Sequence, residues 1–165
     1  MKCQLSGYNE AMSANTQTDL SQKAWRAFHK IRIQLLPLLI KHLNEECGMS
    51  EAEYQVFIGL QAAENGQFKP TQLAEQIGWD LGRLSHQVTR MESKGLLSKQ
   101  QCPTDARSCW LGATKKGQTL FEKALPLQMK AVERLFSNAL TNEQKRSLIE
   151  ISEAIEAHLG KVTSI

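Results

Sequence analysis

The 165 residues leave room for one domain or two small lobes, and the mix of 41% hydrophobic and 22% charged residues is ordinary for a soluble chain. No apolar run approaches the roughly 20 residues that span a bilayer, and residues 1–20 lack the apolar stretch of a secretion signal, so a cytoplasmic location is expected and a membrane role is not. The net charge of +3 is unevenly placed: Lys69 to Lys116 holds eight cations against four acids, a basic middle third that suits either a polyanion partner or a solvated face.

Residues 1–18 are polar and aperiodic and read as disordered, with Met12 a second possible start. Apolar residues at helical spacing (Trp25, Phe28, Ile31, Leu35, Leu39, Leu43) predict a helix from Leu20 to about Glu46, kinked at Pro37. Gly48 suits its end. Ser50 and Glu53 form a capping-box signature for the next helix, about 51–64, which should bury Tyr54, Phe57, Ile58 and Leu60. "ENGQF" stops it. Pro70 and Thr71 open a short helix containing Leu73, Ala74 and Ile77, and Gly78 breaks that helix. Asp80 is placed to cap a second helix that runs to Lys94 and is closed by Gly95. Two short helices joined by a glycine-containing turn are a helix-turn-helix.

"LLSKQQC" and "RSCWLGAT" then read as two strands around the turn "PTDA". Thr114 caps a long helix, 115–139, with Leu120, Phe121, Leu125, Met129, Val132, Leu135 and Phe136 as its apolar residues and a bend at Pro126. Thr141 opens a last helix carrying Leu148, Ile151, Ile155 and Leu159.

A helix-turn-helix followed at once by a hairpin is a winged helix, so the fold expected is mainly α with a small β-hairpin wing. Leu84, Val88 and Met91 form the seam that holds the second helix down. Arg83, Ser85, His86, Gln87 and Thr89 then face DNA bases, while Arg90 and Lys94 face phosphates. Thr71 and Gln72, at the start of the first helix, complete the candidate contacts. Arg107, at the hairpin tip, is placed to reach the minor groove or the backbone with Asp105 orienting it; the bland alternative is an exposed ion pair.

The stretches "LAEQIGWDLGRLSHQVTRMESKGLL" and "CPTDARSCWLGATKKG" resemble the MarR family of winged helix-turn-helix transcriptional regulators, and the likeness extends over roughly residues 22–160. The second stretch matches the family's wing through Asp105, Arg107, Thr114 and Gly117. Gly112 departs from it, where the family tends to place a larger apolar residue. The resemblance implies a homodimer that binds double-stranded DNA, a repressor on a pseudo-palindromic operator. It further implies a dimerisation lobe made of 19–48 and 115–160, around a DNA-binding domain at 49–114, with a tail at 161–165. A small aromatic or anionic effector is implied between the lobes, with Trp25, His29, Arg32, Tyr54 and Trp79 as candidate lining.

Other readings stay open beside these. Trp25, Phe28, Trp79 and Trp110 read first as core residues. Cys102 and Cys109 flank the wing turn either as small packed residues or as a redox pair; together with Cys3 and Cys47 they match no metal spacing. His29, His42 and His158 have no partners at ligand spacing, so neither metal nor cofactor is expected. No nucleophile–base motif, phosphate loop or carboxylate pair stands out, so the chain is not read as an enzyme. The competing classes are a winged-helix protein-interaction module without DNA binding and a thiol-based redox sensor of the same fold.

Overall fold

In this computed structural model the described residues are 4–63, 66–102 and 105–162, with side chains described for 19–63, 66–100 and 109–162. Among them the elements are α1 (Gln4–Glu46), α2 (Glu51–Gln61), β1 (Gln67–Phe68), α3 (Pro70–Gln76), α4 (Leu81–Ser93), β2 (Leu97–Cys102), β3 (Asp105–Ala113), α5 (Lys115–Leu135) and α6 (Asn142–Val162), with one 3-10 turn at Ser137–Ala139. α1 begins at Gln4, so the backbone of residues 4–18, expected to be irregular, is helical, and the helix expected from Leu20 starts earlier; residues 1–3 and the side chains of 4–18 lie outside the described residues. α6 continues to Val162, into the expected tail. No described helix is long and apolar enough to cross a membrane.

The chain divides into two units, Met1–Leu38 and Leu39–Ile165. In the first, Trp25 and Phe28 sit on one turn of α1 with ring centroids 5.9 Å apart. Both were expected in a core, yet they are 65% and 55% exposed. Helical spacing predicts which residues share a face, and in this unit that face is left uncovered.

In the second unit the core gathers Val56, Phe57 and Leu60 of α2, Leu73 and Ala74 of α3, Leu84, Val88 and Met91 of α4, Leu111 of β3 and Phe121 and Ala124 of α5. The Phe57 and Phe121 rings stack with centroids 5.4 Å apart. Ile58, expected inside, points outward; its neighbours Val56, Phe57 and Leu60 already fill the buried side of α2.

The caps are where short-range chemistry places them. Ser50 and Glu53 form the reciprocal capping box of α2. The Asp80 carboxylate accepts from Arg83 N at 2.8 Å, and Thr141 and Gln144 cap α6 reciprocally. α3 and α4 end alike. Trp79 N donates to Ala74 O and Leu96 N to Met91 O, both at 2.8 Å, with Gly78 and Gly95 at φ 68° and 69°. That is the left-handed glycine closure, which a side chain at either position would strain.

The sheet is antiparallel with order β1-β3-β2. β1, missed in the sequence, pairs Gln67 with Gly112 and Phe68 with Leu111. β3 begins at Asp105, so that residue lies in a strand and not in the turn. The register sets Cys109 opposite Gln101 and Cys102 opposite Asp105 across a bulge. The two wing cysteines are therefore not a directly opposed pair: the regular register already sets Cys109 against Gln101, and the bulge then moves Cys102 further along, to Asp105.

The start of α5 is locked to the end of α4. Thr114 N donates to Leu96 O at 3.1 Å. The Thr114 hydroxyl donates to Gly95 O and the Lys116 ammonium to Lys94 O, each at 2.7 Å. Gly117 packs so tightly here that an added Cβ would collide with the Leu96 carbonyl.

Candidate nucleic-acid interface

α4 has two sides of opposite character. Leu84, Val88 and Met91 are buried, whereas Arg83, Ser85, His86, Thr89 and Arg90 are exposed. The division follows from 3.6-residue periodicity, with the Asp80 cap fixing where the helix starts. The Thr89 hydroxyl donates to Ser85 O at 3.0 Å, a bond along the helix that leaves its oxygen able to accept from outside. Leu81, the first residue of α4, is 52% exposed. It was not among the contacts expected from the sequence.

Three of the candidate contacts are engaged elsewhere. Gln87 is only 8% exposed and faces inward, which corrects the expectation that it meets the bases. It stands three residues after Leu84 and four before Met91, on the buried seam. The Lys94 ammonium donates to Glu53 Oε1 at 2.7 Å and so ties the end of α4 to the start of α2. The Gln72 carbonyl accepts from Lys69 N at 3.3 Å, closing the first turn of α3. Thr71 beside it is exposed.

Among the described residues Glu53 is a buried charged group, its side chain 4% exposed. Burial pushes its carboxyl up. Hydrogen bonds from Lys94, Ser50 N and the Ser50 hydroxyl, together with the ammonium charge, outweigh that and hold it below the usual carboxylate range.

Arg83 is positioned by an aromatic. Its guanidinium carbon lies 4.0 Å from the centre of the Trp79 ring. The Trp79 indole N–H in turn donates to Gln55 Oε1 of α2 at 3.1 Å. Trp79 itself is 9% exposed, as a core reading expects.

Asp105 and Arg107 are placed by backbone on β3; their side chains, like that of Cys102, lie outside the described residues. Lys69 Nζ stands 5.7 Å from the centre of the Trp110 ring of β3.

The effector candidates fall into two groups. In the first unit His29 stacks near Trp25, centroids 6.4 Å apart, with Arg32 Nη2 3.4 Å from His29 Nδ1. In the second, Tyr54 lines an open cavity of about 300 Å³ with Gln55, Ile58, Gly59, Gln76 and Ile77, while Trp79 stands behind Gln55. Burial pushes the Tyr54 hydroxyl up from its ordinary value, and the neighbouring Cys47 adds to this. Cys47 is itself buried, and burial followed by the charge of Glu46 raises its thiol.

The family model described as "MarR family" matches residues 58–109, which run from the end of α2 through α4 into β3. Those residues match a MarR-family domain, and they fold here as part of a winged helix-turn-helix. Among solved structures, AbsC, a MarR-family transcriptional regulator from Streptomyces coelicolor, is 29% identical with a TM-score of 0.81, covering 87% of this chain and 96% of its own. Sco3205, a MarR-family regulator of the same organism solved in complex with DNA, is 28% identical with a TM-score of 0.79, covering 84% of this chain and 90% of its own. An uncharacterized HTH-type transcriptional regulator of Bacillus cereus is 28% identical over 90 residues; the match takes in 54% of this chain and 59% of that relative, less than two thirds of its length. The fold expected from the sequence, mainly helical with a small β wing, is thus the fold of the MarR domain and its neighbours.

Proposed function

We propose that the protein is a dimeric, sequence-specific transcriptional repressor acting on DNA in the cytoplasm, and has no catalytic role. The observation that supports this most is the division of α4. Its apolar seam is committed to the core, and a row of exposed cationic and hydrogen-bonding side chains runs from Arg83 to Arg90. A helix enters the major groove with such a face outward, its N-terminal residues on base edges. Arg83 and His86 are the readers in this view. Ser85, Thr89, Arg90 and Thr71 support them, and Leu81 offers an apolar contact. Lys94 and Gln72 act through the fold by holding helix ends. Asp105 and Arg107 belong to the wing contact.

Residues 49–114 make the DNA-binding domain in this reading, and 19–48 with 115–160 the dimerisation helices. A twofold pair of reading helices calls for a pseudo-palindromic operator with half-sites about one turn, roughly 10 bp, apart. A small aromatic or anionic effector that prefers the non-binding arrangement would release DNA by population shift; Tyr54 at its cavity and the Trp25, His29, Arg32 group are the places to look.

The test is genomic footprinting with the purified protein, followed by isotherms on recovered and scrambled sites at several salt concentrations. Recovered sites should be pseudo-palindromes, and binding should weaken steeply with salt as counterions are released. Arg107→Ala should weaken binding to all sequences and flatten the salt slope. Asymmetric sites, or an Arg107→Ala protein that binds like the wild type, would overturn the reading. Absence of any DNA binding would favour a protein-interaction module.

A further inference from the structure

We propose that Trp79 is a positioning residue for base reading. Its indole face holds the Arg83 guanidinium in the orientation that reaches DNA, and Gln55 sets the indole. This rests on the reading of α4 as the DNA-contacting helix.

Arginine has about 2 kcal/mol of rotamer freedom to lose when it makes a two-pronged contact with a guanine edge. A residue that restricts it beforehand without occupying its donors lowers that cost. An acidic partner would restrict Arg83 but take up its N–H groups. Among the described residues no carboxylate forms an ion pair with Arg83, and the nearest acid in sequence, Asp80, is engaged by the backbone N–H of Arg83. The contact present is with the Trp79 ring, at 4.0 Å, inside the range of attraction between a cation and a ring face. A guanidinium over a ring gives up none of its N–H donors to the contact.

The platform is itself fixed at both ends. The Trp79 backbone closes α3 through its bond to Ala74 O. Its indole N–H is held by Gln55 Oε1 at 3.1 Å, and Gln55 Nε2 donates onward to Glu51 Oε1 at 3.1 Å. Donation to an oxygen polarises the indole and raises the negative charge of the face that Arg83 meets. A chain of contacts thus runs from the first turn of α2 to the first turn of α4, and it ends on the side chain proposed to read sequence.

The experiment is a double-mutant cycle on the highest-affinity footprinted fragment and its scrambled version. Arg83→Ala should lower discrimination between them about 5- to 150-fold. Trp79→Phe, which keeps a ring but loses the indole N–H and part of the attraction, should lower it about three- to tenfold. In an Arg83→Ala background Trp79→Phe should change discrimination by less than about twofold, because the platform then has nothing to hold. If Trp79→Phe discriminates like the wild type, or if the two losses multiply, Trp79 acts through the fold and the proposal is overturned alone. If Arg83→Ala discriminates like the wild type, the reading of α4 falls and the proposal with it. Should Trp79→Phe fail to fold, Gln55→Leu decides: a smaller loss that vanishes in the Arg83→Ala background supports the proposal, and an unchanged or persisting effect overturns it.

Discussion

At the scale of single residues, the exposed face of α4, in the DNA-reading role proposed for it, carries two chemistries suited to a base edge. Leu81 sets an apolar side chain, 52% exposed, two residues before Arg83 and one turn before Ser85. Apolar groups in the major groove discriminate through the thymine methyl. Replacing thymine by uracil in each half-site should therefore weaken wild-type binding, with one position costing about 1 kcal/mol, and that position should be indifferent in Leu81→Ala; isotherms on the substituted duplexes check this. Glu53 governs stability in a different way. Its carboxyl is held below the ordinary range, so its contribution is fully present above the unfolded-state value near pH 4, and it is lost as pH falls through the lower folded value. Glu53→Gln should cost about 1–3 kcal/mol at neutral pH, towards the lower end because Lys94 is more than half exposed, and the gap should close on acidification. Thermal melts of both proteins from pH 7 to pH 3 read this out. The ionised pair was not legible in the sequence, since 41 positions separate its members. Gln87 was legible and was misplaced: its phase relative to Leu84 and Met91 already put it on the seam.

At the scale of elements, what could be read depended on how local the determinant is. The boundaries of α2, α4 and α6 follow from Ser50, Asp80 and Thr141, residues that bond to backbone or side chains three positions away. The helix-turn-helix was legible for the same reason. β1 was not, because its two residues carry no periodicity and gain strand character only by pairing with β3. The wing register was also hidden: the bulge at Gln101/Cys102 changes which residues face each other, and nothing in the local sequence marks it. The contact of α5 with α4 depends on a missing side chain. Gly117→Ala would drive a Cβ into the Leu96 carbonyl, whereas Gly59→Ala would meet only the ends of Ile77 and Leu73, at 2.5 and 2.8 Å. Backbone gives way less readily than a side-chain tip, so Gly117→Ala should cost about 3 kcal/mol or more and Gly59→Ala less. Denaturant unfolding of the two variants gives the order directly.

At the scale of the whole molecule, the large apolar residues that remain exposed among the described residues, Ile58 and Leu81 apart, lie on α1, α5 and α6. α6 shows Ile149, Ile151, Ile155, Leu159 and Val162, all more than half exposed. Patches of this kind mark association surfaces, and their helical spacing was plain in the sequence even though their covering was not. Sedimentation should find the wild type at twice 18.5 kDa, and Ile151→Glu with Ile155→Glu should give a folded monomer that binds DNA far more weakly; a wild-type monomer that still binds tightly would contradict the dimer. The joint between α4 and α5 has a mechanical consequence. Three hydrogen bonds and the absence of space beside Gly117 leave it no play. α5, 21 residues long, is an arm of about 31 Å. Its compliant point is Pro126, where the helix lacks a backbone donor. Bending strain applied at the far end of α5 therefore concentrates near the proline, while the segment before it turns α4 as one piece. The arm works as a lever with a welded foot, and any tilt that reaches the weld rotates the exposed face of α4 by the same angle.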